Sequence, residues 1–153
     1  MRPWLLVACL AGCAEETLPG ELFSVTVSGV TDNCHAEFVE YQESFEYRLV
    51  DDATGSYAIY IENELLGAGT LTGCDFTYGS LVFTDEREDG AYIRWSIVGE
   101  ARIAIGGSVS CEDVGGGWVG EEIVQINEST DPEVPTGCTY ITETEGTWLG
   151  TSR

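Results

Sequence analysis

The residue types best suited to nucleophilic chemistry meet at Cys34 and His35, a thiol next to the only histidine of the chain. A thiol–imidazole dyad needs a reduced thiolate and a histidine that faces it, whereas neighbours in a strand point to opposite faces of the sheet. The chain contains no lysine and no Gly-x-Ser-x-Gly segment, so the usual surroundings of a catalytic serine are missing too. We therefore expect His35 at the surface, beside a disulfide-bonded Cys34.

Carboxylates are the other candidates for acid–base chemistry, and the chain has 27 of them. Glycosidases hold two carboxylates about 5–9 Å apart in a cleft, and the candidate pairs here are Glu121 with Glu122, Glu143 or Glu145. Adjacent Glu121 and Glu122 face opposite sides of a strand, and chance pairs are expected among so many acids. The sequence therefore predicts no catalytic residue and leaves a carboxylate hydrolase as the least favoured function.

One acidic segment resembles a calcium-binding loop in spacing only. Asp85, Arg87, Asp89 and Gly90 occupy the first, third, fifth and sixth positions of the template, but Arg87 places a cation where a ligand oxygen belongs and the twelfth position is Ser96 rather than glutamate. We expect a charged hairpin tip there, no metal-ligating residues and no cofactor. The alternative that stays open is calcium held between loops by acids from the set Asp51, Asp52, Glu112, Asp113 and Asp131.

The amino-terminal segment carries a targeting signal. A charged start at Arg2 precedes an apolar run from Trp4 to Leu10, which ends in Leu10-Ala11-Gly12-Cys13. These are the parts of a secretory signal peptide, and the four-residue motif resembles the lipobox of bacterial lipoproteins. The apolar run is too short for a transmembrane span, which needs about 20 residues.

The lipobox resemblance implies cleavage before Cys13 and acylation of its thiol and new amino terminus. Residues 1–12 would then be the signal peptide, residues 13–21 a lipidated tether and residues 22–153 a single domain. Several acyl chains anchor a protein stably, whereas one holds it only marginally. The residue after Cys13 is Ala14, and not the aspartate that commonly retains lipoproteins at the inner membrane, so the resemblance points to an exported protein of the outer membrane.

Four cysteines are left once Cys9 and Cys13 are assigned to the signal peptide and to lipid. An even number in an exported chain predicts two disulfides, and no two of these cysteines have the close spacing of a structural zinc site. If the strands alternate up and down, one pair lies toward each end of the sheets. That placement favours the pairs Cys34–Cys111 and Cys74–Cys138.

Apolar residues alternate with polar ones along most of the chain, which is typical of half-buried strands. Turn residues separate these stripes about every ten residues, and no window has sustained helical spacing. The sequence predicts an all-β domain, an antiparallel sandwich or barrel of about 8–9 strands stapled by disulfides. Clear inward stripes are Phe23, Val25 and Val27; Phe45, Tyr47 and Leu49; Tyr57, Ile59 and Ile61; and Ile93, Trp95 and Ile97.

The charge of the chain limits its partners. The formal net charge is −21, and all six basic residues are arginines. Phosphate backbones are bound by clustered Lys and Arg, so nucleic acid is not an expected partner. Anionic lipid would repel the domain, so membrane attachment has to come from acyl chains on Cys13. The acidity serves either solubility or ion binding.

Trp118 is the candidate binding residue, because three glycines precede it. An exposed aromatic ring in a flexible rim can stack on a sugar or on a partner side chain, which would suit a protein or glycan partner. The competing interpretation, favoured on frequency, is a tryptophan at the start of a strand that packs inward.

Taken together, these patterns predict a lipid-anchored, non-catalytic binding or structural module of the cell envelope. A lipocalin-like carrier of small ligands is the alternative. It requires a closed barrel with an apolar cavity on the order of several hundred Å³, and the Gly-x-Trp that this family usually has near its first strand is missing. A carboxylate hydrolase would require two facing acids in a cleft, one of them with a raised pKa.

Overall fold

The alternating apolar stripes become the inward face of nine antiparallel strands. In the first strand, for example, Phe23, Val25 and Val27 are buried while Ser24 between them is exposed. The computed structural model describes residues 19–34 and 41–153. The strands are β1 (Gly20–Asp32), β2 (Gln42–Asp51), β3 (Ser56–Ile61), β4 (Glu64–Thr72), β5 (Asp75–Ser80), β6 (Phe83–Glu86), β7 (Tyr92–Ile103), β8 (Gly117–Ser129) and β9 (Thr139–Ser152).

Eight of these strands close into an antiparallel barrel, and β6 is the extra strand. Neighbours follow chain order from β1 to β5, β9 pairs with both β1 and β8, and β5 pairs with β7 to close the ring. The all-β prediction is confirmed, and of its two architectures the barrel is the one formed. Strand β1 begins at Gly20, which pairs with Ser152. Gly20 and Glu21, which the sequence analysis placed in the tether, therefore belong to the barrel wall.

The strand is interrupted between β5 and β6, and the chain continues there in the same direction. Both strands run antiparallel to β7: Gly79 of β5 pairs with Val98, and Phe83 of β6 pairs with Trp95 further along the same strand. The two strands are therefore one interrupted path along β7. At the break, Leu81 N donates to Leu66 O at 2.7 Å, and beyond it β6 pairs with β7 alone.

The predicted disulfide pairing is wrong. The bonds are Cys34–Cys138 and Cys74–Cys111. Since β5 and β6 run in the same direction, a count that treats their break as a reversal moves every later strand end to the opposite end of the barrel. The first disulfide joins the segments after β1 and after β8, and the second joins the β4–β5 turn to the segment after β7.

The segment around Cys111 forms a 3-10 helix, Val109–Val114. Cys111 and Val114 are buried with Cys74 and pack against Ala104. This small cluster lies beside the barrel end at which β1 begins and β9 finishes. We call that end the filled pole.

Trp118 occupies the centre of the filled pole and is 0% exposed. The prediction of an exposed binding tryptophan is therefore wrong, and the inward-packed interpretation is the correct one. Its indole N–H donates to Thr144 Oγ1 at 3.0 Å. Ring centroids lie 5.4 Å away for Phe23 and Tyr47, 5.9 Å for Phe76 and 6.0 Å for Tyr78.

The glycines before Trp118 allow close packing and do not form a flexible rim. A Cβ on Gly116 would lie 2.9 Å from the carbonyl oxygen of Gly146, and one on Gly117 would lie 2.9 Å from the backbone nitrogen of Trp148. Gly117 also has a φ of 120°, which side chains other than glycine rarely adopt. These residues bring the start of β8 against β9 and drive Trp118 into the barrel.

Candidate functional site: a cavity in the barrel

The opposite end of the barrel, which we call the open pole, contains a cavity of about 640 Å³. This volume lies in the range of small-molecule sites. The cavity is lined mainly by apolar and aromatic side chains from eight strands. Its apolar and aromatic lining consists of Val27, Tyr41, Phe45, Tyr47, Ile61, Leu65, Leu66, Phe83, Trp95, Ile97, Val124 and Tyr140.

On two strands, β1 and β8, the inward residues become smaller toward the open pole. Along β1 the inward residues run from Phe23 through Val25 to Val27. On β8 they run from Trp118 at the filled pole to Val124, which is 3% exposed and lines the cavity. Protein interiors are normally packed without large voids, so a space of this size in the barrel is a candidate binding site.

One side of the cavity mouth lies between the β3–β4 turn and β6, where the wall is interrupted. Glu62 and Glu64 line it from the turn, and Asp85 lines it from β6. The indole N–H of Trp95 donates to Asp85 Oδ2 at 2.8 Å, and its ring centroid lies 4.8 Å from that of Phe83. The mouth is therefore acidic at its edge and aromatic just inside.

Glu122 is the ionisable residue buried deepest in this cavity, at 2% exposure. Its Oε1 accepts hydrogen bonds from two tyrosine hydroxyls, Tyr47 at 3.0 Å and Tyr78 at 2.6 Å. The hydroxyl-bearing Thr142 lines the same part of the cavity. The carboxylate is thus held between β2, β5 and β9 in one orientation.

Burial raises the pKa of Glu122 above its usual value, while the hydrogen bonds from Tyr78 and Tyr47 act in the lowering direction. Burial, together with the neighbouring glutamate charge, raises the pKa values of Tyr47 and Tyr78 well above 10.0. The two tyrosines therefore stay protonated and remain hydrogen-bond donors across the ordinary pH range. Glu122 is the group of this trio that titrates.

The Cys34–Cys138 disulfide supports the cavity wall from outside. Cys34 is buried with Ile126 and Val134, and Trp95 and Tyr140 pack against this cluster. Both of these aromatic residues also line the cavity. The disulfide therefore fixes two of the rings that a ligand would touch.

The barrel wall separates Glu122 from the other carboxylates that the sequence offered as pairs. Glu122 faces the cavity, whereas Glu121, Glu143 and Glu145 line a polar groove on the outer surface together with Glu100. The expectation that Glu121 and Glu122 face opposite sides is confirmed. The pair Glu121–Glu122 therefore cannot flank a single substrate, whereas Glu121 and Glu143 are cross-strand neighbours in the outer groove.

Several of the acids considered for calcium have other partners. Asp51 Oδ1 accepts from the Ala53 backbone at 2.7 Å, and Asp131 Oδ2 pairs with Arg87 at 2.6 Å. Asp89 Oδ1 accepts from the Ala91 backbone at 2.9 Å, as expected for a hairpin tip. Within residues 19–34 and 41–153, no group of three or more His, Cys, Asp or Glu could hold a metal ion.

Two residues singled out by the sequence, Cys13 and His35, lie outside the described part of the chain. Sequence reasoning also missed the Glu122–Tyr47–Tyr78 trio. A signal for it exists, because Glu122 is in phase with Trp118, Val124 and the other inward residues of β8. An acid in the apolar phase of a strand is costly to bury and therefore marks a site.

No protein-family model, no curated protein and no solved structure matches this chain. In the described ranges, no helix is long and apolar enough to cross a membrane. The geometry of the cavity is therefore the basis for assigning a function.

Proposed function

We propose that this protein is a non-catalytic carrier that binds a small, largely apolar molecule in the barrel cavity. The observation that carries the proposal is a space of about 640 Å³, walled by apolar and aromatic side chains, with a fixed polar group inside it. Small-molecule sites combine this kind of lining with a few oriented polar groups. The carrier, the alternative at the sequence level, is now favoured, because the envelope-module hypothesis relied on an exposed Trp118.

A non-catalytic role is supported by the partners of Glu122. Its carboxylate is hydrogen-bonded to two tyrosines with raised pKa values. Acid–base hydrolysis needs a second carboxylate or a nucleophile beside it, and the other candidate glutamates line the outer groove. Such a trio is suited to orienting a ligand.

Binding is tested with Nile red, a neutral dye whose fluorescence rises in apolar surroundings. The Val124→Phe variant places a ring in the cavity, and the matched control Val119→Phe places the same ring on the outer face of the same strand, where Val119 is 49% exposed. We expect one dye per protein, at least tenfold weaker binding in V124F, and unchanged binding in V119F. Equal binding by both variants would show that the dye uses another surface, and the proposal would fail.

The carrier is further proposed to be exported and anchored to the outer membrane through acyl chains on Cys13. The lipobox supports this placement, and two disulfides are typical of an oxidising compartment. Mass spectrometry of the native protein checks it. We expect a chain that lacks residues 1–12 and carries added acyl mass, whereas an intact Met1 with free thiols would contradict the placement.

A further inference from the structure

We infer that the ligand of this cavity carries a cationic nitrogen on an apolar body, and that Glu122 is the residue that selects it. This inference rests on the proposed function and adds the ligand's chemical class. It excludes anionic amphiphiles such as fatty acids as preferred ligands. The argument combines the charges that line the cavity, the hydrogen bonds of Glu122 and the aromatic rings around it.

The charged groups that line the cavity are all acidic. Among the described residues in its wall, the ionisable side chains other than tyrosine are Glu62, Glu64, Asp85 and Glu122. Four arginines form ion pairs elsewhere: Arg48 with Glu46, Arg87 with Asp131, Arg94 with Glu128, and Arg102 with Asp75 and Asp113. A cationic ligand is thus attracted at the mouth and again inside, whereas an anionic one is repelled at both places.

The hydrogen bonds of Glu122 leave acceptor positions for a ligand. A carboxylate offers about four acceptor sites. The two tyrosine hydroxyls both donate to Oε1, and the Thr142 hydroxyl is a third neighbouring donor, so at least one site is left. In the part of the chain that the structure describes, no arginine forms an ion pair with Glu122. An N⁺–H group in the cavity would supply the missing cation and form a charge-assisted hydrogen bond, which is among the strongest in proteins.

The energetic advantage arises because Glu122 is desolvated before the ligand arrives. Removing a carboxylate from water opposes folding, and this term is already present in the empty barrel, where Glu122 is 2% exposed. The bound cation then gains its attraction to a preoriented charge without bearing that part of the cost. A neutral alcohol of the same shape would gain only an ordinary hydrogen bond.

The aromatic lining favours the same class of ligand. Tyr47, Tyr140 and Trp95 line the cavity with Glu122. A cation within about 6 Å of an aromatic face is attracted by the ring electrons, while the rings also cover the apolar body of the ligand. Anions gain neither the cation–π attraction nor the ion pair.

The test compares three ligands that differ only in their head group: octylamine, octanol and octanoate. Each displaces Nile red from the intact folded protein at pH 7. We expect octylamine to compete at least tenfold better than octanol, and octanoate to compete worst. Octanol equal to or better than octylamine would overturn the inference while leaving the dye-binding cavity, and thus the proposed function, intact. Failure of Nile red to bind, or to respond to V124F, would instead remove both.

The role of Glu122 itself is tested with Glu122→Gln against the neighbouring Glu121→Gln, which removes the same charge from the outer face. We expect E122Q to lose the tenfold amine preference and to keep octanol binding, whereas E121Q behaves as wild type. A preserved amine preference in folded E122Q would overturn the assignment. If E122Q does not fold, the competition of the three ligands for the wild-type protein is repeated in about 1 M salt. At this concentration the Debye length is about 3 Å, so the salt screens the exposed acids at the rim but not a buried ion pair. Loss of the preference in salt would assign it to Glu62, Glu64 and Asp85 instead.

Discussion

The two poles of this barrel are built from the same alternating strands and differ in what the inward positions carry. At the filled pole, Trp118 and four surrounding rings occupy the interior completely. At the open pole, Val27 and Val124 stand at the equivalent inward phase and leave a cavity of about 640 Å³. The two ends therefore differ in packing: one pole is filled with side chains, and the other keeps a cavity that holds the buried carboxyl group of Glu122.

Each pole has its own disulfide, and removing them one at a time gives the largest expected losses of stability. A disulfide restricts the unfolded chain, so its removal lowers the free energy of unfolding. We expect a loss of about 4.7 kcal/mol for Cys34–Cys138, which spans 104 residues. For Cys74–Cys111, which spans 37 residues, we expect a loss of about 4 kcal/mol. Urea unfolding of the two Cys→Ser double variants measures both. Nile red binding should fall only in the open-pole variant, and a fall in both would show that the poles are not independent.

A second comparison removes one large ring from each pole. Trp118→Ala should lower the free energy of unfolding by about 3–5 kcal/mol, because it empties the aromatic cluster and leaves Thr144 without its indole donor. Trp95→Ala, at a half-buried position in the cavity wall, should cost less and should weaken Nile red binding at least as much as V124F does. Urea unfolding and dye titration of both variants provide the check. A larger stability loss in W95A would reverse the assignment of the poles.

A third prediction concerns the hydrogen bonds that hold Glu122 between the poles. Tyr78→Phe removes the 2.6 Å bond to Oε1, and a hydrogen bond to a charged group contributes about 1.5–3 kcal/mol. We expect a loss of that size at pH 7, measured by urea unfolding. Tyr57→Phe is the control, because Tyr57 packs on Phe76 at 6.1 Å away from Glu122. A similar loss in both variants would indicate a packing effect.

The smallest expected effect is the pH dependence that Glu122 gives to stability. Because burial raises its pKa, the folded protein binds this proton more tightly than the unfolded chain, so stability is lost as pH rises from the ordinary glutamate value through the raised one. E122Q should therefore melt at a higher temperature than wild type at pH 7 in the absence of ligand. The difference should vanish at pH values below the ordinary glutamate pKa. E121Q should show no such trend, and a destabilised E122Q at pH 7 would mean that the tyrosine bonds outweigh the burial cost.

The sequence predicts the wall of the barrel better than its interior. Period-two stripes such as Phe23-x-Val25-x-Val27 identify strands because alternation is a local property. The closing β5–β7 pair and the β5–β6 break depend on which distant strands meet, and local pattern does not contain that information. The disulfide pairing was wrong for this reason.

The interior was hard to predict because the same residue type can be buried or exposed, and closely packed or flexible, depending on its surroundings. The glycines before Trp118 suggested a flexible backbone, but Gly116 and Gly117 lie where two strands approach too closely for a side chain. Glu122 was one acid among 27 in the sequence, and the signal that distinguishes it from Glu121 is its phase with Trp118 and Val124 on β8. Four conclusions drawn from composition and spacing, namely the class of fold, the number of strands, the presence of two disulfides and the opposite facing of two adjacent glutamates, needed no such information and are confirmed.

The pairing of Gly20 with Ser152 has a consequence for how the barrel is presented. Strand β1 begins and strand β9 ends at the filled pole, so a tether attached before Gly20 would be joined to the barrel at that pole. The open pole would then face away from the membrane, toward the aqueous compartment. In the proposed carrier, the ligand would therefore enter from the aqueous side and not from the lipid.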